Sequence, residues 1–137
     1  MSSNDLFKSQ RDIAKEELSA HPNGLRWITL ESEDQLEEII KDSHQTTQVV
    51  FKHSTKCPIS KGRKEHLEKE FSIPENNASV YYLDVITHRP VSLAIADKWN
   101  IEHQSPQLLV LQNGKVVTHT SHEDITTTVV EDWVAKK

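Results

Sequence analysis

Val49-Val50-Phe51-Lys52-His53-Ser54-Thr55-Lys56-Cys57-Pro58-Ile59-Ser60 is the stretch on which the fold turns. From Gln48 its first residues are β-branched and aromatic, which suits a central strand. Pro58 suits a first helical turn, where its missing N–H would have had no intrahelical partner, and this puts Cys57 at the N-cap. The charged segment beyond reads as a helix with Leu67 and Phe71 turned inward. A strand, a loop and a helix therefore meet at the only cysteine in the chain.

Working outward, residues 26–30 read as a first strand. Ser32 with Gln35 forms a capping-box pattern opening a helix whose Leu36, Ile39 and Ile40 share one face. After the turn at Pro74-Glu75-Asn76-Asn77, residues 80–85 read as another strand, and Pro90 opens a helix carrying Val91, Ala94, Ile95 and Trp99. This βαβαβα order predicts an α/β fold with parallel pairing. The ending differs: residues 107–111 and 116–120 flank Asn113-Gly114, the signature of an antiparallel hairpin. Ser121 with Asp124 reads as a second capping box, opening a last helix with Ile125, Val129 and Trp133 on its core face, although Thr126-Thr127-Thr128 is poor helix material. The expected architecture is a mixed sheet of about five strands with flanking helices over residues 25–137. Residues 1–24, ending in His21-Pro22-Asn23-Gly24, read as an arm or accessory helix.

A chain of 137 residues fits one domain with one core. Its net charge of -5, with no basic tract flanked by aromatics, argues against nucleic acid as a partner. No apolar run approaches the ~20 residues that span a bilayer, and Met1-Ser2-Ser3-Asn4-Asp5 lacks a signal-peptide pattern, so no membrane association and a cytoplasmic location are expected. A single cysteine permits no internal disulfide, which leaves buried packing or a reactive thiol.

Position decides between those two in favour of reactivity. At a helix N-cap the free N–H groups and the positive end of the helix dipole favour thiolate over thiol. Lys52, Lys56, Lys61, Arg63 and Lys64 precede the first acid of the helix, Glu65, so an acidic chain is locally basic around its sulfur. Taken alone, such a run is as well explained as a solvated face. Ser60 stands three residues after Cys57, where a dithiol oxidoreductase carries its resolving cysteine. Its hydroxyl could hydrogen-bond a thiolate but cannot form a disulfide, so a mixed disulfide on Cys57 persists until an outside thiol attacks it.

Two regions resemble the thioredoxin superfamily: the strand-loop-Cys57-Pro58-Ile59-Ser60-helix unit, and the run from Trp99 through Ser105-Pro106 to the Asn113-Gly114 hairpin. The resemblance implies a thioredoxin-like fold with Pro106 as a cis-proline and the backbone of Ser105 facing Cys57, ready to pair with an extended thiol ligand. More closely, Phe51-Lys52-His53-Ser54-Thr55-Lys56-Cys57-Pro58-Ile59-Ser60, Tyr81-Tyr82-Leu83-Asp84, Arg89-Pro90-Val91-Ser92 and Ser121-His122-Glu123-Asp124-Ile125-Thr126 resemble the monothiol bacilliredoxins, bacillithiol system redox-active proteins of the YtxJ type, over about residues 27–130. That likeness implies removal of bacillithiol from S-bacillithiolated proteins: Cys57 attacks the mixed disulfide, takes the bacillithiol and is restored by a second thiol.

By the same likeness bacillithiol is a co-substrate, no cofactor is tightly bound, the partners are S-bacillithiolated proteins, and the protein is a monomer. Pro58, Ile59 and Lys56 would help hold the thiolate. The ligand would meet Thr55, Ser105 and Pro106, with its malate carboxylates near Lys52, Lys56 or Arg89 and the N–H groups of Ser121 and His122. Where thioredoxin keeps a buried acid, six residues before the cysteine, this chain has Phe51, a change that suits a protein with no second thiol.

Three other readings compete. An iron–sulfur carrier of the monothiol-glutaredoxin kind would use one cysteine with an external thiol, but Pro58-Ile59 replaces the usual Gly-Phe pair. A redox-inert thioredoxin-fold interaction module would leave Cys57 incidental. A Cys-His hydrolase would need His53, His66 or His122 as base, and no orienting partner is evident. His119 and His122 are three apart, but a strand end and a helix cap do not make a zinc site and no second pair of ligands is in view, so no metal site is expected.

Overall fold

The structure, a computed structural model, describes residues 25–136. The arm expected over residues 1–24 lies outside the described residues. Strands β1 (Trp27–Thr29), β2 (Thr47–His53) and β3 (Ala78–Asp84) alternate with helices α1 (Asp34–Asp42), α2 (Pro58–Glu70) and α3 (Arg89–Trp99). Then come β4 (Gln107–Gln112), β5 (Lys115–Ser121), a 3-10 turn (His122–Asp124) and α4 (Thr127–Lys136). The sheet order is β1-β3-β2-β4-β5, parallel from β1 through β3 to β2 and antiparallel from β2 through β4 to β5. This is the five-stranded mixed sheet that the sequence predicts.

Strand β2 is central and buried along its whole length, as expected of a strand covered on both faces. Alternation along it divides the core in two. Val49 and Phe51 pack with Leu67 and Phe71 from α2 and its end, and with Val130 of α4. Val50 on the other face packs with Leu36 and Ile39 of α1 and Val91 and Ile95 of α3. Asn113 and Gly114 both have positive φ (52° and 77°), which closes the tight hairpin between β4 and β5. The N–H of Asn113 donates to the carbonyl of Ser43 at the end of α1, pinning the turn. Asn100, in the left-handed conformation, stops α3 and turns the chain toward β4.

Both capping boxes need correction. The Gln35 side chain does reach back, its Oε1 accepting from the N–H of Ser32 at 3.1 Å and of Glu31 at 2.6 Å. The helix, however, starts at Asp34 with Glu33 as an N-cap that makes no side-chain bond. Gln35 also donates to the carbonyl of Thr29, so its role is to tie α1 to β1. At the other box, Ser121 ends β5 and caps only the 3-10 turn, without a side-chain bond, and α4 begins at Thr127. The Thr-rich segment delays the helix; Thr127 and Val130 are its buried residues, and Val129 and Trp133 pack partly buried against the same core, as the sequence predicts. Ile125 is fully buried ahead of the helix, as part of the connection.

Candidate active site at the thiol

Strand β2 ends at His53, in register with Asp84 of β3, and the chain turns through residues 54–57. The Cys57 N–H donates to the Ser54 carbonyl at 3.2 Å, and the Cys57 carbonyl accepts the first helical bond, from Lys61 at 3.1 Å. Cys57 is the N-cap of α2 in an extended conformation (φ -105°, ψ 118°), with Pro58 opening the helix. Its side chain is half-buried and makes no capping hydrogen bond. The sulfur is thus placed at the helix end without being folded over its N–H groups. Thr55, Lys56, Pro58 and Ile59 around it are exposed.

Ser60 is fully buried. Its Oγ lies 2.6 Å from Nδ1 of His53 and accepts from the N–H of Ser54 at 3.1 Å. The hydroxyl expected to serve the sulfur is therefore engaged from two sides by the loop. His53, 3% exposed, lies against Phe51 and Tyr82 with ring centroids 5.7 Å and 5.4 Å away. Burial lowers its pKa, Lys64 and Lys61 push the same way, and Asp84 and a hydrogen bond to Ser60 oppose them, so the net effect favours the neutral ring. Sequence reasoning offers this histidine only as a weak hydrolase base. The signal that could have found it is its period-two spacing from Val49 and Phe51, which places it on the core face.

The basic cluster read from sequence comes apart in three dimensions. Lys52 shares a face with Val50 and is fully buried, so it cannot meet a ligand carboxylate. Its Nζ donates to the Ser92 carbonyl of α3 at 3.1 Å and lies 3.3 Å from Nδ1 of His103, and burial lowers its pKa to about 8. Arg63 donates to the carbonyl of Ile125 and so fastens the C-terminal segment. Lys64 pairs with Glu68 at 2.7 Å and lies over Trp27 and Tyr82. Lys56 and Lys61 beside the thiol, and Arg89 at the start of α3, remain exposed cations.

The segment between α3 and β4 arrives at the same end of the sheet, because Gln107 at the head of β4 is paired with Lys52. The Ser105-Pro106 bond is cis. Above Lys52, Nδ1 of His103 lies 3.0 Å from the Ser92 hydroxyl, and burial, then Lys52 and Arg89, lower its pKa. Ser92 and His103, to which the sequence reading gives no role of their own, thus hold the approach to the cis-proline. The Ser105 hydroxyl is buried without a partner. His122, at φ 54°, donates its N–H to the Pro106 carbonyl at 3.1 Å, so that donor is not free for a ligand carboxylate as the sequence reading expected. Ser121 lies at the end of β5, in register with Gln107 of β4. Among the described residues no three His, Cys, Asp or Glu side chains converge where they could hold a metal ion.

A single thiol at the helix start that follows the central strand, with a cis-proline leading the adjacent strand at the same sheet end, defines a monothiol redox protein of the thioredoxin fold. Solved structures agree on the fold. A candidate oxidoreductase with a thioredoxin fold is 34% identical, over 80% of this chain and 93% of its own, with a TM-score of 0.68. Thioredoxin from Malassezia sympodialis is 16% identical over 79% of this chain and 87% of its own, and thioredoxin from Trypanosoma brucei brucei 15% over 80% and 88%, each with a TM-score of 0.61. The family described as monothiol bacilliredoxin BrxC matches residues 28–130, and the chain belongs to that family.

Proposed function

We propose that this protein removes bacillithiol from S-bacillithiolated proteins in the cytoplasm of a bacillithiol-making bacterium. The Cys57 thiolate attacks the bacillithiol sulfur of the mixed disulfide. A new S–S bond forms on Cys57 as the old one breaks, and the client leaves as a thiolate. A second bacillithiol thiolate then attacks the bacillithiol sulfur on Cys57, giving bacillithiol disulfide and restoring Cys57. The observation that carries this reading is the lone, half-buried Cys57 at the α2 N-cap with Ser60, and not a cysteine, three residues on.

The surroundings support it. Lys56, Lys61 and Arg89 supply exposed positive charge for the malate of bacillithiol. Ile59 and Ile86, 44% and 48% exposed, follow the C-terminal ends of β2 and β3 and offer apolar contact to a client protein. Thr55 and the Ser105-Pro106 backbone border the thiol end of the sheet, and the protein works as a monomer with no tightly bound cofactor. No helix among the described residues is long and apolar enough to cross a membrane.

Incubation with bacillithiol disulfide and, separately, with glutathione disulfide, followed by intact mass spectrometry, tests the reading. The expected result is one bacillithiol adduct on Cys57, little glutathione adduct, and release by free bacillithiol. Equal labelling by both disulfides defeats the selectivity, and no labelling by either defeats the exchange chemistry.

A further inference from the structure

A serine hydroxyl has one proton to give and two lone pairs that accept. The Ser54 N–H occupies one lone pair at 3.1 Å, and Nδ1 of His53 at 2.6 Å either takes the hydroxyl proton or donates its own. When Nδ1 accepts, Ser60 keeps one lone pair open for a further donor. When Nδ1 carries a proton, both lone pairs are filled and the hydroxyl proton must find an acceptor. A thiol is a donor and a thiolate an acceptor, so a cysteine at that spot satisfies Ser60 in both states. Cys57 and Ser60 are the N-cap and third residue of α2, one turn apart at the same helix end, and the Cys57 side chain makes no hydrogen bond there in the structure.

We propose that His53, acting through Ser60, takes up the proton that Cys57 releases on becoming a thiolate and returns it when the thiol re-forms. The Cys57 side chain first rotates over the helix end. The S–H bond breaks and its proton passes to Oγ of Ser60, while the O–H bond of Ser60 breaks and that proton passes to Nδ1 of His53. The products are a thiolate accepting from the Ser60 hydroxyl and an imidazolium donating to the same oxygen. Charge is conserved and nothing is oxidised or reduced.

The groups facing His53 fit a proton held only while the thiolate is present. Lys61 and Lys64 of α2 oppose a charged imidazole, with Lys64 partly offset by its pairing with Glu68, whereas Asp84 on β3 favours it. Tyr82 on β3 and Phe51 on β2 wall the ring. Phe51 stands six residues before the cysteine, and His53, two residues further along the same face of β2, supplies the buried base that Phe51 cannot. His53 is then a positioning and proton-holding residue for the exchange step.

This inference rests on the exchange reading above, and its test separates the two. Nitrogen-15 NMR follows protonation of the His53 ring against pH in the full chain and in Cys57→Ala. In the full chain the neighbouring thiolate holds the Nδ1 proton to higher pH, whereas in Cys57→Ala the ring titrates once, at lower pH. His53→Asn keeps a polar atom near the Nδ1 position but cannot hold the proton, and its iodoacetamide alkylation rate at pH 7 should fall at least threefold. Superimposable His53 titrations in the two proteins, or an unchanged alkylation profile in a folded His53→Asn, would overturn the relay while normal mixed-disulfide formation leaves the exchange reading standing. Failure of every disulfide to label Cys57 would remove the exchange reading itself.

Discussion

Replacing Lys52 with methionine isolates the cost of a buried ammonium in the strand that leads to the thiol. The side chain is fully buried, and its pKa falls from 10.5 to about 8 because burial disfavours the charged form. The unfolded chain keeps this proton to about pH 10.5 and the folded protein only to about pH 8. Between those values the unfolded state binds more protons, so rising pH favours folding. The penalty is therefore complete below pH 8 and fades as pH climbs toward 10.5. Its upper limit is ~3 kcal/mol, which relaxation of the surroundings reduces to ~2 kcal/mol.

Methionine forfeits the bonds to the Ser92 carbonyl and His103, worth about 1 kcal/mol together. Lys52→Met should thus be about 1 kcal/mol more stable than the parent at pH 7, and that advantage should vanish or reverse by roughly pH 10. Urea unfolding followed by tryptophan fluorescence at several values from pH 7 to 10 measures the difference. A gap that stays constant over this range would refute the argument, since it would mean that Lys52 keeps an ordinary affinity for its proton. Because Lys52 also steadies His103 ahead of the cis-proline, the same variant should form its mixed disulfide several-fold more slowly.

Other substitutions probe the thiol and its loop. Cys57→Ser should accept no bacillithiol from any disulfide, while its melting temperature stays within about 2 °C of the parent, because the half-buried sulfur makes no capping bond. Ser60→Cys should turn accumulation of a mixed disulfide into an internal disulfide between Cys57 and the introduced thiol, read by mass as loss of two hydrogens in place of an adduct. Asp84→Ala should cost about 1–2 kcal/mol near neutral pH, since its carboxylate accepts from the N–H groups of Ile86 and Thr87 and the Thr87 hydroxyl. Burial pushes the Asp84 pKa up, but those donors outweigh it and hold it below the ordinary carboxylate value. Its contribution is present above that value and is lost as pH falls through the lowered one, so the parent–variant gap measured by urea unfolding should close in acid.

Much of the frame was legible because its signals are local. The β-branched run before Lys52, Pro58 and Pro90 at helix starts, and Asn113-Gly114 between two apolar runs each act through adjacent residues, and the elements formed where those signals lie. The capping boxes misled because a Ser-x-x-Asp or Ser-x-x-Gln pattern says nothing of competing partners. Gln35 was also drawn to the Thr29 carbonyl, and the Ser121 segment was held by β5 pairing and by the bond from His122 to Pro106.

By itself the sequence determined the βαβαβα-hairpin order, the lone thiol at the N-cap of α2, and the absence of a second cysteine, since chain composition and short-range pattern suffice for each. Tertiary structure alone decided which charges surround that thiol. Lys52, Arg63 and Lys64 lie close to Cys57 in sequence yet are turned to Ser92, Ile125 and Glu68, and His53 is turned to Ser60. The reason is that a side chain's partner and its exposure to water depend on what packs over its face of the strand or helix, and those covering groups come from segments up to 62 residues away.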